Sequence, residues 1–209
     1  MIVEKSESSK NSIIKAAYRL FAQKGYDGTS IRELAEAVEV NIAAIHYYFG
    51  SKQGLFEVAV KDFTQSKLSL VMMTLESPKN LDEFKFRMTI FMKQFLLLAS
   101  SEHEAFRMLS RNLDVFSRLA PKDFKSIFVN IHNQFLKFVV SAQQTNIIRD
   151  DIDSEILTQI LFGGLMDLAK NNALRKAVNK KSIEKEEFRD QYVSTFVEGI
   201  LNGVGVKNV

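Results

Sequence analysis

The strongest constraint on the fold of this chain lies in residues 29–56, which read TSIRELAEAVEVNIAAIHYYFGSKQGLF. Ser30 and Glu33 fit the S-x-x-E capping box, in which a hydroxyl and a carboxylate satisfy backbone donors at the start of a helix. Asn41 and Ser51 are preferred N-cap residues, and each predicts the start of a further helix. Because few residues remain for each turn, the segment predicts two short helices around a tight turn and a third helix directly after them. This is a helix-turn-helix signature.

The second short helix, expected over about residues 42–49, has two chemically different faces. Ile45 and Phe49 are one turn apart and are expected to point into the protein. The opposite face should be exposed, and it collects Ile42, Ala43, His46 and Tyr47. An aromatic ring and an imidazole beside small side chains suit a DNA groove, because small groups allow close approach and can meet thymine methyl groups.

Charge near this helix is sparse but favourable for DNA. No acidic residue lies between Val40 and Phe56, and the formal charge in that stretch is Lys52. The Lys52 ammonium and the amides at the start of its helix are placed where both could meet a phosphate. Since the net charge of the whole chain is only +3, a basic footprint must come from the placement of single side chains.

The first 56 or so residues resemble the DNA-binding domain of the TetR family of bacterial transcriptional regulators. The motifs that carry the resemblance are Ala16-Ala17, Leu20-Phe21, Gly25-Tyr26, Thr29-Ser30-Ile31, Leu34-Ala35, Val40, Tyr48-Phe49, Ser51-Lys52 and Leu55. The resemblance implies that one set of residues contacts operator DNA. These residues are Thr29, Ser30, Arg32, Asn41, Ile42, Ala43, Ala44, His46, Tyr47, Tyr48 and Lys52.

Two positions depart from the family pattern. Where the family usually has glycine in the turn, this chain has Glu39, whose left-handed conformation should cost about 1 kcal/mol and which places an acid near DNA. The family's usual tyrosine in the middle of the recognition helix is replaced by His46. Simpler roles also stay open, because Ser30 can act only as a cap, His46 as an ordinary surface histidine, and Tyr48 as part of the core.

The rest of the chain predicts helix and no strand. The helices are expected over about residues 10–24, 52–75, 81–99, 103–118, 122–144, 153–177 and 185–203. We therefore predict an all-α fold, in which residues 1–50 form an N-terminal three-helix helix-turn-helix DNA-binding domain. Residues 51–209 are expected to form a helical effector-binding and dimerisation bundle.

The predicted second domain is rich in phenylalanine at helical spacing. The periodicity alone favours a packed core, and the family resemblance adds the alternative of an effector cavity. The candidate cavity residues are Met88, Phe91, Met92, Phe95, Phe106 and Phe128. A row of charged residues is expected to face away from the apolar stripe Phe106, Leu109, Leu113 and Phe116 on the same helix. We interpret this row as a solvated face rather than an anion site, and it consists of Glu104, Arg107, Arg111, Asp114 and Arg118. The unknown small-molecule effector is therefore expected to be largely apolar.

The last two predicted helices indicate an interface. The helix expected over 153–177 is apolar on more than one side, so it needs two neighbours, and a monomer offers one. By resemblance, TetR-like regulators pair two such helices from each chain, and the two-fold symmetry presents two recognition helices to a palindromic operator. The predicted homodimer interface contains Ile156, Ile160, Gly163, Gly164, Tyr192, Phe196 and Gly199.

Catalysis is the competing class of function. The chain has no cysteine and three histidines, and it lacks the E-x-x-H, H-E-x-x-H and glycine-rich phosphate motifs. The run Glu102-His103-Glu104 does not form a metal site on a helix, because adjacent side chains diverge by about 100°. We predict no enzyme activity, no metal and no cofactor. Without a signal segment or an 18-residue apolar run, no membrane partner and a cytoplasmic location are expected.

The sequence thus predicts a dimeric, ligand-responsive regulator that binds double-stranded operator DNA. Its assignment as a repressor comes from the family resemblance. Two alternatives stay open: a helical protein-interaction module that does not read DNA, and a helical-bundle enzyme.

Overall fold

The computed structural model describes the backbone of residues 2–119 and 122–205, without the side chains of residues 2–6, 116, 117, 119 and 122–128. Within those ranges the chain forms α-helices and no β-strand, which confirms the all-α prediction. The helices are α1 (Ile2–Lys24), α2 (Ile31–Glu36), α3 (Ile42–Phe49), α4 (Lys52–Phe63), α5 (Ser69–Met72), α6 (Leu81–Ser101), α7 (His103–Arg111), α8 (Leu113–Leu119), α9 (Lys122–Gln144), α10 (Ser154–Lys170), α11 (Asn172–Asn179) and α12 (Glu186–Val204). None of these helices has the length and apolarity needed to cross a membrane.

The chain divides into two compact units. Unit 1 comprises residues 1–67 and 102–127, and unit 2 comprises residues 68–101 and 128–209. These are units of packing. The functional division expected at residue 50 stays a prediction.

The core of unit 1 forms where α1 packs against α2, α4 and α7. Phe21 is fully buried, and its ring meets the ring of Phe56 edge-on at 5.2 Å. Tyr18 donates its hydroxyl hydrogen to Asp62 Oδ2 at 2.6 Å, and burial raises the pKa of this phenol above its ordinary value. These contacts fix α4 on α1, so the three-helix segment has a rigid support.

Three predicted helices are interrupted in the structure. The helix expected over 52–75 contains a π-helical turn, Thr64–Leu68, where the Thr64 hydroxyl donates to the Val60 carbonyl at 2.8 Å. The helix expected over 103–118 breaks at Asn112, and the helix expected over 153–177 breaks at Asn171. At each interruption a polar side chain makes a local hydrogen bond that competes with a continuous helix. Thr64 and Asn112 donate to backbone carbonyls, and Asn171 donates to the Asp167 carboxylate.

Unit 2 has an aromatic core built by α6, α9 and α10. Phe84 stacks on Phe138 at 5.1 Å, and Phe91 meets Phe135 edge-on at 5.4 Å. Phe162 on α10 completes the cluster, with its ring 5.8 Å from the ring of Phe135. Helix α12 packs along α6. The phenylalanine periodicity therefore produces a packed core in this unit.

Candidate DNA-binding site

The start of α2 has the predicted capping box. Ser30 Oγ accepts the Glu33 backbone N–H at 3.1 Å, and the Glu33 carboxylate accepts the Ser30 backbone N–H at 2.8 Å. The same carboxylate also pairs with Lys24 at the end of α1. The Lys24 ammonium and then the Ser30 backbone donor lower the pKa of Glu33 to about 2. The capping prediction is confirmed, and the Ser30 hydroxyl remains exposed while it caps.

Helix α3 places its side chains as its periodicity predicts. Ile45 and Phe49 are buried, while Ala43 and His46 on the opposite face are exposed. Tyr47 is 83% exposed, which is unusual for a ring of this size. The Tyr48 ring lies edge-on to the Tyr47 ring at 5.1 Å. The exposed face of α3 therefore presents a large aromatic ring beside a small side chain.

Of the remaining candidates, Asn41 is exposed, and the three that lie on α3 are less exposed than Tyr47. Asn41 caps the helix, since its Oδ1 accepts the Ala43 N–H at 3.0 Å. Ile42, Ala44 and Tyr48 are half-buried. They border the exposed face, so each presents only part of its surface.

His46 is held at the end of α3. Its Nδ1 lies 2.8 Å from the carbonyl oxygen of Gly50. Because a carbonyl can only accept, Nδ1 carries the hydrogen in this contact, and Nε2 is the ring nitrogen left for another partner. The imidazole therefore has a fixed orientation on the exposed face of α3.

Glu39 has the left-handed backbone conformation expected from the family's glycine, with φ 55°. The turn is a Schellman motif, since the Val40 N–H bonds to the Ala35 carbonyl at 3.0 Å and the Glu39 N–H to the Glu36 carbonyl at 3.2 Å. Glycine is the usual residue at this position of the motif because it has no Cβ to strain. The exposed carboxylate of Glu39 lies in the turn that leads into α3.

Lys52 has an internal role that its sequence position does not reveal. Its Nζ donates to the carbonyls of Thr29 at 2.9 Å and of Tyr26 at 3.0 Å, and it lies 4.3 Å from the centre of the Tyr26 ring. An ammonium has three N–H bonds, so one remains for the predicted phosphate contact.

The last two candidates differ in exposure. Thr29 is buried, and its hydroxyl donates to the Gly25 carbonyl at 2.8 Å. Arg32 is exposed on α2 and pairs with Glu36 at 2.9 Å. An exposed pair of this kind contributes little stability, so Arg32 can exchange its partner for a phosphate at low cost.

The candidate effector residues lie in different surroundings. Met88, Phe91, Met92 and Phe95 are buried in unit 2, whereas Phe106 is buried in unit 1. The side chain of Phe128 lies outside the described residues. A groove of about 420 Å³ runs along α6 and α12 in unit 2, and its lining differs from the predicted set. That lining consists of Lys85, Thr89, Lys93, Asp190, Val193, Ser194, Val197 and Glu198.

The candidate interface residues form an apolar face on α10 and α12. Ile156 and Ile160 are 61% and 64% exposed, and Gly163 continues the same face of α10. Gly164 points toward α12 of the same chain, since a Cβ there would lie 3.6 Å from the Phe196 ring. On α12, Tyr192 and Phe196 are half-buried with stacked rings, and Gly199 is exposed.

One structural residue of unit 1, Asn112, was not predicted from the sequence. Asn112 is buried, and its Oδ1 accepts the backbone N–H of Tyr26 at 2.7 Å. Asparagine is a poor residue for a helix interior, and that was the available signal for a break in the predicted helix 103–118. Elsewhere in the described part of the chain, no group of three or more acidic or histidine side chains is arranged to hold a metal ion.

The amino-terminal segment matches known proteins. A family model described as bacterial regulatory proteins, tetR family, covers residues 13–59. The chain is 52% identical over 56 residues to the probable HTH-type transcriptional regulator YttP of Bacillus subtilis (strain 168), a match that covers 27% of each protein. It is 42% identical over 52 residues to the biofilm operon icaADBC HTH-type negative transcriptional regulator IcaR of Staphylococcus aureus (strain Newman), covering 25% of this chain and 28% of IcaR. The match thus spans about a quarter of the length of these relatives.

The fold of the whole chain also has solved counterparts. The ketosteroid transcriptional regulator KstR2 of Mycobacterium tuberculosis aligns with a TM-score of 0.73 over 95% of both chains, at 12% identity. At that identity the similarity establishes the fold alone. Residues 13–59 therefore match the tetR family of bacterial regulatory proteins, and the fold of the chain is that of the solved regulator KstR2.

Proposed function

We propose that this chain is a DNA-binding transcriptional regulator that acts as a homodimer and leaves a palindromic operator when a largely apolar effector binds. The observation that carries the proposal is the exposed face of α3, where Ala43, His46 and Tyr47 lie together on a helix without an acidic side chain. A large exposed ring beside a small side chain gains by contact with base edges in the major groove. Helix α3 is therefore the recognition helix.

Flanking groups supply the contacts that hold the duplex. Ser30 and Arg32 lie at the start of α2 with exposed polar atoms, and Lys52 begins α4 with one N–H left for a phosphate oxygen. Contacts of this kind position a protein on DNA without reading its sequence. Base discrimination is then the task of α3.

Dimerisation is supported by unpaired apolar surface on α10. Ile156 and Ile160 are exposed one turn apart, with Gly163 beyond them on the same face. Isolated exposed isoleucines are ordinary, but a continuous apolar face on one helix gains free energy when a second copy covers it. Since identical chains meet through a two-fold axis, the dimer presents two recognition helices, as a palindromic operator requires.

An apolar effector is supported by the composition of unit 2. Phe91, Phe95 and Phe135 form a core with Met88 and Met92, and flexible methionine side chains adapt to a ligand at low cost. The arginines of the charged row, Arg107 and Arg111, are exposed. A small anion therefore has no buried cation in that row.

Two further features of the proposal rest on the family. Repression is proposed because the relative IcaR is named a negative regulator. A regulator of bacterial DNA works where the chromosome is, so we place the chain in the cytoplasm.

The proposal is tested by selection from a pool of random duplexes, followed by mobility-shift measurements on the enriched sequence and on its half-sites. We expect an inverted repeat whose half-site centres are about 34 Å apart or a multiple of that distance. Failure to enrich any sequence, with the protein folded and dimeric, would instead favour a protein-interaction module.

The effector is tested by thermal-shift screening with apolar aromatic compounds and with inorganic phosphate. A hit must also release the selected operator. We expect Phe95→Trp to block that release while operator binding is kept, because the added ring fills buried volume in unit 2. Loss of release in Arg107→Ala, with Phe95→Trp still responsive, would point to an anion instead.

A further inference from the structure

A residue outside the segment that matches the family model contacts the turn between α1 and α2. This turn, residues 25–30, is called the corner below. We propose that Asn112, at the break between α7 and α8, positions the start of α2 and thereby Thr29, Ser30 and Arg32 for DNA. Asn112 lies outside the matched segment 13–59. The effect of Asn112 on DNA binding rests on the proposed function, whereas its effect on the conformation of the corner does not.

The Asn112 side chain is buried and fully engaged within unit 1. Its Oδ1 accepts the Tyr26 backbone N–H at 2.7 Å, and its Nδ2 donates to the carbonyls of Met108 at 2.7 Å and Phe21 at 3.3 Å. Only 2% of the residue is exposed. One short side chain that both donates and accepts is needed here, and asparagine meets that requirement.

The Tyr26 amide needs such a partner because α1 has already ended. Gly25 turns the chain with φ 77°, and its own N–H bonds to the Phe21 carbonyl at 3.1 Å. The next amide, that of Tyr26, points away from the helix axis and meets Asn112. Without that acceptor, a buried N–H would lack a partner, which is costly.

Tyr26 is held at both of its backbone polar atoms. Its N–H is fixed by Asn112, and its carbonyl accepts Lys52 Nζ at 3.0 Å and the Thr29 N–H at 3.2 Å. The ring is also fixed, since it lies 5.0 Å from the ring of Phe56 on α4. Tyr26 is therefore the point where α7 and α4 both determine the path of the corner.

The path from Tyr26 to α2 is short and leaves little freedom. The Thr29 carbonyl shares the Lys52 ammonium at 2.9 Å, and the Thr29 hydroxyl bonds back to Gly25 at 2.8 Å. Ser30 follows directly as the cap of α2. Phosphate contacts position a protein on DNA without reading the base sequence. A shift of the corner at Tyr26 should therefore weaken binding to every DNA sequence to a similar extent.

Asn112→Ala, Asn112→Asp and a control, Asp27→Ala, test the proposal. Aspartate keeps an oxygen for the Tyr26 amide but lacks the donors for Phe21 and Met108, so it separates positioning from simple packing. Asp27 pairs with Arg118 at 2.6 Å on the exposed side of the same corner. Amide exchange is measured at Tyr26 and Thr29, with the Gly50 amide, bonded to His46, as an internal reference.

In Asn112→Ala, we expect the Tyr26 amide hydrogen to exchange at least about tenfold faster than in wild type, while the exchange rate of the Gly50 amide is unchanged. The same variant should bind both operator and random DNA about tenfold more weakly. Asn112→Asp keeps the acceptor for Tyr26 but faces the Phe21 and Met108 carbonyls without donors, so its Tyr26 exchange rate and its DNA affinity should lie between those of Asn112→Ala and wild type. Asp27→Ala should bind DNA within about twofold of wild type.

The proposal is overturned if folded Asn112→Ala keeps Tyr26 protected, or if it binds DNA like wild type. It is also overturned if the Ala and Asp variants lose DNA binding equally or both fail to fold, because Asn112 would then serve packing alone. If wild-type protein binds no DNA, the proposed function fails, and the exchange rates at Tyr26 and Thr29 still decide whether Asn112 holds the corner.

Discussion

At the scale of single residues, exposure separates the two faces of α3. Tyr47 is 83% exposed, whereas Phe49, two residues later, is 8% exposed. Both residues are aromatic, and only their positions on the helix differ. A ring held in water on a short, well-capped helix is available for a partner without any rearrangement of the core.

We expect Tyr47→Ala to weaken binding to the selected operator by about tenfold or more while random DNA is affected less, because a base contact is worth about 1–3 kcal/mol only at the right sequence. Fluorescence anisotropy with both duplexes measures the difference. The matched control is Phe86→Ala, an aromatic that is 66% exposed on α6 and should leave both affinities unchanged. Equal losses on the two duplexes would remove Tyr47 from the base-reading residues.

Glu39 combines two separable effects, backbone strain and charge. We expect Glu39→Gly to raise the free energy of unfolding by about 0.5–1 kcal/mol, since relief of the left-handed conformation exceeds the entropy cost of glycine. Glu39→Gln should leave stability unchanged. Both variants should bind DNA more tightly at low salt, because each removes an exposed carboxylate next to α3. Urea unfolding and anisotropy at two salt concentrations check these results, and a stabilised Glu39→Gln would show that charge rather than strain matters.

At the scale of elements, capping and breaks decide where the helices of the site begin and end. The capping box starts α2 at its predicted residue, and Asn41 and Ser51 start α3 and α4. The breaks at Thr64–Leu68 and Asn112 were not predicted. Caps depend on neighbours within three residues, whereas these breaks depend on partners elsewhere in the unit or on the adjoining turn.

The capping box makes the stability of unit 1 depend on pH in the acid range. Lys24, then the Ser30 donor, lowers the pKa of Glu33 from 4.5 to about 2. Because the folded pKa lies below the unfolded one, the unfolded state takes up the proton first as the pH falls. The stabilisation is therefore complete above pH 4.5 and is lost progressively toward pH 2.

We expect Glu33→Gln to be less stable than wild type at pH 7, because glutamine still caps Ser30 but has no charge for Lys24. The difference in unfolding free energy should shrink below about pH 4.5 as wild-type Glu33 becomes protonated in the unfolded state. Urea unfolding followed by circular dichroism at pH 7, 5, 4 and 3 measures it. A difference that stays constant or grows toward pH 3 would contradict this assignment of the pKa.

At the scale of the whole molecule, the proposed function depends on a second copy of the chain. Helix α10 buries Leu157, Leu161 and Leu165 within its own chain. Its remaining apolar face, with Ile156 and Ile160, is exposed. A helix that is apolar on two sides needs two neighbours, and the dimer would supply the second.

We expect Ile160→Asp to dissociate the dimer, raising its dissociation constant by about 100-fold or more, because an unpaired carboxylate would be buried at the interface. The helix content should be unchanged, since Ile160 is 64% exposed within the chain. Operator affinity should fall, while binding to a single half-site persists. The control is Val129→Asp, which is 53% exposed on α9 outside the predicted interface. Analytical ultracentrifugation reports the outcome, and an unchanged dimer in Ile160→Asp would place the interface elsewhere.

The sequence by itself was sufficient for the helix-turn-helix, the all-α class and the inward and outward faces of α3. These features depend on interactions within about one helical turn, and caps and periodicity record such interactions directly. Glu39 belongs to the same group, because the Schellman motif that imposes its conformation spans only residues 35–40.

Only the tertiary structure assigned the internal contacts of Lys52 and Asn112. Lys52 has the position of a phosphate contact, yet its ammonium binds carbonyls 23 and 26 residues earlier in the chain. Asn112 meets Tyr26 across 86 residues. No local pattern encodes such pairs, because hydrogen bonds between distant segments form only after packing has brought the helices together and excluded water from the contact.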